Sequence, residues 1–225
     1  MKKKVLYTEL AYVLGMVLLA FGAAFMTISD FGVSMIVAPA YLVHLKVSEF
    51  LPFFSFGMAE YTLQAVLLFV MMLVVRKAKV SYFFSIVTAV LYGFILDGAI
   101  AVVSLLPVNT ALRVVFYIVG LLLSSMGVSF FFHTYIAPEV YELFVKEVSV
   151  KFEIDISKVK TVYDCASCVI SILLSFAFFG LWSFEGVKLG TVICALLNGT
   201  LIGVWNKAYE NIWDFKDRFD IKFLK

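Results

Sequence analysis

Tyr12-Val13-Leu14-Gly15-Met16-Val17-Leu18-Leu19-Ala20-Phe21-Gly22-Ala23-Ala24-Phe25 returns 105 positions later as Tyr117-Ile118-Val119-Gly120-Leu121-Leu122-Leu123-Ser124-Ser125-Met126-Gly127-Val128-Ser129-Phe130. Tyr12, Gly15, Leu18, Gly22 and Phe25 meet Tyr117, Gly120, Leu123, Gly127 and Phe130. Two glycines seven residues apart lie on one helix face, where they let another helix come close. Further along, Ala89, Leu91 and Gly93 match Ala195, Leu197 and Gly199 at an offset of 106. An offset that drifts by one residue over half the chain is the mark of an internal duplication.

The repeats are apolar throughout. Of 225 residues, 63% are hydrophobic and 15% charged, and the mean hydropathy is +1.02. A water-soluble domain of this size needs more polar surface than that. Six runs are long enough to cross a bilayer, which takes about 20 helical residues. They fall near 7–28, 57–76, 80–105, 111–133, 159–182 and 187–206. The fold class expected is all-α, with six transmembrane helices in one membrane domain. Each half, about 5–106 and 111–207, holds three spans. Three is odd, so the second copy is inverted relative to the first, an arrangement found in many transporters.

Lys and Arg are distributed unevenly. With the N-terminus in the cytoplasm, 15 of the 18 fall on the inner side and only Lys46, Arg113 and Lys188 on the outer. The positive-inside rule then puts both termini in the cytoplasm. These charges read as topology determinants, and nucleic acid is not an expected partner. Met1-Lys2-Lys3-Lys4 before an apolar run imitates a signal peptide, but five further spans favour an uncleaved first helix.

Between the first two spans of each half lies a shorter element, about 30–47 and 135–152. Turn residues mark a break before each. At roughly 15 residues each is too short to cross, and is interfacial or re-entrant. In the second copy Val140, Leu143, Phe144 and Val148 share a face, with Glu139, Glu142, Lys146 and Lys151 off it. The stretch 208–225 alternates Trp213, Phe215, Phe219 and Phe223 with charges, as an amphipathic cytoplasmic tail on the headgroups does.

Three blocks of the second half carry a family resemblance. They are Pro138-Glu139-Val140-Tyr141-Glu142-Leu143-Phe144-Val145, Lys158-Val159-Lys160-Thr161-Val162-Tyr163-Asp164, and Gly190-Thr191-Val192-Ile193-Cys194-Ala195-Leu196-Leu197-Asn198-Gly199. In these the chain resembles the YczE/YitT-like family of small bacterial membrane proteins. Gly32-Val33-Ser34 matches the family's first-half loop, while Met35-Ile36-Val37 replaces its common Pro-Trp-Asp. The resemblance implies six spans in the bacterial plasma (inner) membrane. It implies no activity.

A charge inside a bilayer is costly and needs a reason. Asp97, in the outer part of the third span, reads as an ion, proton or cationic-substrate contact, or else as a residue snorkelling to the outer interface or paired with Arg113. Glu60 and Asp164 open the second and fifth spans at corresponding places. Either they line a path or they complement the helix ends, Asp164 with Lys158 and Lys160 nearby. Gln64 is one turn below Glu60 on the same face. Asn198, midway along the sixth span, either binds cargo or joins helices. Gly15, Gly22, Gly93, Gly120, Gly127 and Gly199 are the expected close-packing positions.

Cys165-Ala166-Ser167-Cys168 is a C-x-x-C within an apolar helix, without a second ligand pair, and reads as packing. His44 and His133 read as interfacial. No catalytic set, metal site or cofactor motif is recognisable, so an enzyme is not expected. The function expected is a small transporter or permeation protein for a small solute or ion. The alternative is an accessory or substrate-capturing subunit of a larger complex, with Ala20 and Ala24 as a docking face. Expected partners are the lipid bilayer, a small-molecule or ion substrate, and another membrane protein or a second copy.

Overall fold

The computed structural model describes residues 3–219. Eight helices run in the order α1 (Thr8–Ser29), α2 (Ala38–Ser48), α3 (Phe56–Val75), α4 (Val80–Val103), α5 (Thr110–Phe132), α6 (Val140–Phe152), α7 (Ile156–Phe179) and α8 (Leu189–Ile212). Six of them, all but α2 and α6, are long and apolar enough to cross a membrane. Side chains fix where several begin. The Ser55 hydroxyl accepts from the Met58 N–H at the head of α3, Asn109 from Leu112 at α5, and Asp155 from Ser157 and Lys158 at α7. Each satisfies first-turn donors that have no partner within the helix.

Packing repeats across the two halves. Helix α1 lies on α4 as α5 lies on α8, and α3 on α4 as α7 on α8. The short helices cross over: α2 packs on α7 of the other half, and α6 on α3. At the centre, α1 and α5 cross antiparallel. A Cβ on Gly15 would lie 3.0 Å from the Gly127 carbonyl oxygen, and one on Gly127 only 2.7 Å from that of Gly15. Gly22 and Gly120 oppose each other in the same way, at 2.8 and 2.7 Å. Each glycine therefore contacts the repeat counterpart of its fellow, as a two-fold axis through the crossing requires. A Cβ on Gly93 would lie 2.9 Å from the Gly57 carbonyl oxygen of α3, and one on Gly199 would lie 2.5 Å from the Thr161 hydroxyl of α7.

The outward faces are apolar, with Phe69, Leu73, Phe94, Leu173 and Leu196 exposed. On a soluble protein such surface would aggregate; here it suits lipid. Strands β1 (Lys4–Tyr7) and β2 (Trp213–Lys216) pair in parallel, Lys4 opposite Trp213 and Tyr7 opposite Lys216. The two ends of the described chain thus meet on one side of the bundle, consistent with an even number of crossings.

The stretch expected as a tail from 208 is helical through Ile212. Its aromatic residues pack on the bundle: Tyr209 stacks on Phe130 at 4.3 Å, and Phe215 on His133 at 4.4 Å. Glu9 then accepts the backbone N–H groups of Arg218 and Phe219. Phe223 lies outside the described residues.

Two expectations need correction. Ala20 and Ala24 are wholly buried, Ala24 against Ala99 and Val103 of α4, so they present no docking face. Lys160 was counted among the inner-side charges, but it is 0% exposed and held by carboxylates inside the bundle. Without it the bias is still 14 of 17.

Opposite that side, Asp30 ends α1 and receives Lys188 of α8 and Arg113 of α5, the latter at 3.0 Å. The hydrogen bond from the Lys188 ammonium, with help from Arg113, holds the Asp30 carboxyl below the usual aspartate range. A carboxyl depressed in the folded state stabilises the fold above its unfolded value, and that gain is lost as pH falls through the folded value. The groups are well exposed, which limits the effect to about 1 kcal/mol or less. Asp30→Asn is expected to lower the melting temperature slightly at pH 7. The difference should shrink as pH falls below the usual aspartate range and also in high salt, as read by thermal unfolding in detergent.

Candidate functional site: a buried acidic cluster between the halves

Helix α6 begins inside the bundle. Pro138, Glu139, Val140, Tyr141, Glu142 and Leu143 are all buried, whereas Val150 and Phe152 at its other end are exposed. A helix buried on every side at its N-terminus and open at its C-terminus is a half-helix inserted among the spans. The loop before it is anchored by the Thr88 hydroxyl of α4, which donates to the Ala137 carbonyl at 2.9 Å, with Tyr12 of α1 bonded to the same hydroxyl.

What the half-helix meets is polar. The first helical N–H, of Val140, donates to Gln64 Oε1 at 2.9 Å. Gln64 Nε2 donates to Glu139 Oε2 at 3.1 Å and lies 3.5 Å from Glu60 Oε2. The Tyr141 hydroxyl donates to Glu60 Oε2 at 3.1 Å. One turn further, Glu142 Oε1 lies 3.5 Å from the Lys160 ammonium of α7, which also sits 3.2 Å from Asp164 Oδ1. Asn198 of α8 donates from Nδ2 to Asp164 Oδ2 at 3.3 Å. The Tyr163 ring lies 5.8 Å from the Lys160 ammonium, within cation–π range. None of Glu60, Gln64, Glu139, Glu142, Lys160, Asp164 and Asn198 is more than 2% exposed.

Four carboxyls face one ammonium here. If all were ionised the cluster would carry three uncompensated negative charges, and the positive end of α6 offsets only about half of one. Each uncompensated buried charge costs several kcal/mol, so protons or another cation must complete the balance. The hydrogen bonding is also incomplete. Glu60 Oε1, Glu139 Oε1, Glu142 Oε2 and Asn198 Oδ1 are buried without a hydrogen-bond partner. So is the hydroxyl of Tyr92 on α4.

Of the residues singled out by sequence, Glu60, Gln64, Asp164 and Asn198 come together in this cluster. Asp97 does not join them. It accepts from the Ser55 hydroxyl at 2.7 Å and the Gly57 N–H at 2.9 Å, holding the start of α3 against α4, while Arg113 pairs with Asp30. Sequence reading overlooked Glu139, Glu142, Lys160 and Tyr92. A signal for three of them was present: two acids three apart behind a proline share a first helical turn, and Lys160 precedes Asp164 by one turn. The C-x-x-C cysteines are free thiols, Cys168 in the core and Cys165 partly exposed.

The equivalent end of α2 is built differently. Thr191 of α8 donates to the Val33 carbonyl at 2.8 Å, and Ser34 and Cys194 are 3.9 Å apart. The first turn of α2 carries no acid. The duplication therefore kept the geometry in both copies but put carboxylates at only one.

Six spans in inverted halves, with a half-helix delivering acids to the boundary between them, define a polytopic α-helical membrane protein with an interior polar site. The chain belongs to a family of unknown function, DUF6198, whose model matches residues 6–207. No curated protein and no solved structure matches it.

Proposed function

We propose that the protein is a small transporter or permeation protein for a small solute or ion, with its site at the boundary of the two halves. One observation carries this reading: a fully buried polar network is assembled from α3 of the first half and α6, α7 and α8 of the second. Structural glue would be cheaper as apolar packing, since buried ion pairs are poor stabilisers. Polar groups held at depth between inverted repeats suit a site that opens to either side. The same proposal places the chain in the bacterial plasma membrane with both termini cytoplasmic. The charge bias and the resemblance to YczE/YitT-like proteins support that placement.

The test is flux. Purified protein in liposomes is assayed against a panel of small ions and solutes, beside Glu60→Gln. Loss of a charge-assisted hydrogen bond at the site is expected to reduce flux at least about tenfold. If no solute moves, and a second protein co-purifies in fixed stoichiometry from native membranes, the accessory role replaces this one.

A further inference from the structure

Beside α6, where it leaves the bundle, lies a recess of about 390 Å³, within the size range of small-molecule sites. Its walls come from both halves. The first half supplies Lys77 and Lys79 from the connection between α3 and α4, and Ser81 and Tyr82 from the first turn of α4. The second half supplies Pro138, and Lys146 and Glu147 of α6. Lys79 reaches across to Glu147 at 3.3 Å. Glu147 is the one carboxylate lining the recess, so three ammonium groups share a single countercharge. Among the described residues, neither Lys77 nor Lys146 has a carboxylate within salt-bridge distance. Lys146 is half-buried, where an ammonium without a partner is costly.

Tyr82 is an independent sign of a ligand. It lines the recess, it is 1% exposed, and its hydroxyl is buried without a hydrogen-bond partner. Most buried hydroxyls have one. Its ring is held in a core cluster with Val140 and Leu143 of α6, so the hydroxyl cannot swing out to water. A hydroxyl with two unpaired ammonium groups nearby is a donor set for an oxyanion. We infer that the recess binds a phosphate group, either free phosphate or the phosphate of an anionic lipid headgroup. Lys77 and Lys146 supply the charge, and Tyr82 donates a hydrogen bond. A phosphate presents more acceptor oxygens than a carboxylate, and so reaches donors on both walls.

A second recess, of about 700 Å³ between α7 and α8, also carries two lysines, Lys158 and Lys207. Among the described residues, none that lines it has a buried polar side-chain atom without a partner. It serves as the control for charge alone. Occupancy of the first recess has a structural consequence. The ligand would tie the α3–α4 connection of one half to α6 of the other, beside the loop that carries the half-helix into the bundle. The bound state is therefore the more stable one, whether or not the interior site transports anything.

The experiment is thermal unfolding of the purified full-length protein in an uncharged maltoside detergent. In one arm, sodium phosphate is added at low millimolar concentration against sodium chloride of equal ionic strength. In the other, phosphatidylglycerol is added to the micelles against phosphatidylcholine. The expected result is a saturable rise in melting temperature in at least one arm. A rise with phosphate identifies the free ion as a ligand, and a rise with phosphatidylglycerol alone identifies the headgroup. Lys77→Gln with Lys146→Gln should abolish the rise, and Tyr82→Phe should weaken the apparent affinity about tenfold. Lys158→Gln with Lys207→Gln should leave the rise intact. If the Lys77 and Lys146 double variant does not fold, Lys77→Gln alone decides. That side chain is exposed and has no salt-bridge partner among the described residues, and its loss should lower the affinity severalfold. The proposal is overturned by no rise in either arm, by a rise that survives loss of the recess lysines, or by an equal loss in the Lys158 and Lys207 variant.

Discussion

Lys160→Met is expected to be among the most damaging single substitutions in the protein. It removes the ammonium that lies 3.2 Å from Asp164 and 3.5 Å from Glu142, and all three side chains are within 1% of complete burial. Breaking a buried pair from one side costs about 3–5 kcal/mol, because the partner stays behind as an unpaired charge. Here two partners stay behind. The expected loss in melting temperature is on the order of 10 °C at pH 8. It should narrow at lower pH, since a carboxyl that takes up a proton no longer needs the ammonium. Lys160→Met combined with Glu142→Gln and Asp164→Asn should recover most of the loss, because no buried charge is then stranded. Thermal unfolding of the variants at both pH values is the measurement. Equal destabilisation of the single and triple variants would mean that packing of the lysine stem, not its charge, is what matters.

The second large effect is at the α1–α5 crossing. Gly22→Leu would force a side chain into the backbone of α5: a Cβ alone would lie 2.6 Å from the Ser124 nitrogen and 2.8 Å from the Gly120 oxygen. Backbone cannot rotate aside as a side chain can. The helices must separate, and helix association in lipid depends on that closeness. A loss of about 3 kcal/mol or more is expected, seen as low yield of monodisperse protein in size-exclusion chromatography. Gly98→Ala is the contrast. Its Cβ would meet nothing within 4 Å, and alanine favours helix by up to about 1 kcal/mol over glycine. That variant should be neutral or slightly more stable.

Sequence and structure agree best where one rule dominates. The spans come from hydropathy, and all six match helices to within a few residues, apart from the later end of α8. The glycine pairs come from the repeat, because close backbone contact admits few other residues. The acidic cluster was only half legible. Glu60, Gln64, Asp164 and Asn198 stood out because they interrupt apolar runs. Glu139 and Glu142 did not, because on a short helix beside Lys146 and Lys151 they look like a solvated face. Whether such a face meets water or protein depends on how deep the helix sits, and depth comes from partners on α3 and α7, far off in the chain. Lys160 was misread for the same reason. Near the start of a span a lysine serves topology as a rule, and only the position of Glu142 shows that this one is buried. Asp97 stood out for depth alone, while the Ser55 and Gly57 donors it serves lie about 40 residues earlier.

The central crossing also bears on how the protein is made. Helix α1 is synthesised well before its main partner, α5, which follows about a hundred residues later. Until α5 arrives, the groove of Gly15 and Gly22 faces lipid, while α3 and α4 already close on each other through Gly57 and Gly93. Assembly therefore has an early, local stage and a late one that joins the halves. The acidic residues of α6 reach Glu60 and Gln64 only in that late stage, so the polar interior is completed by the same event that brings the two repeats together.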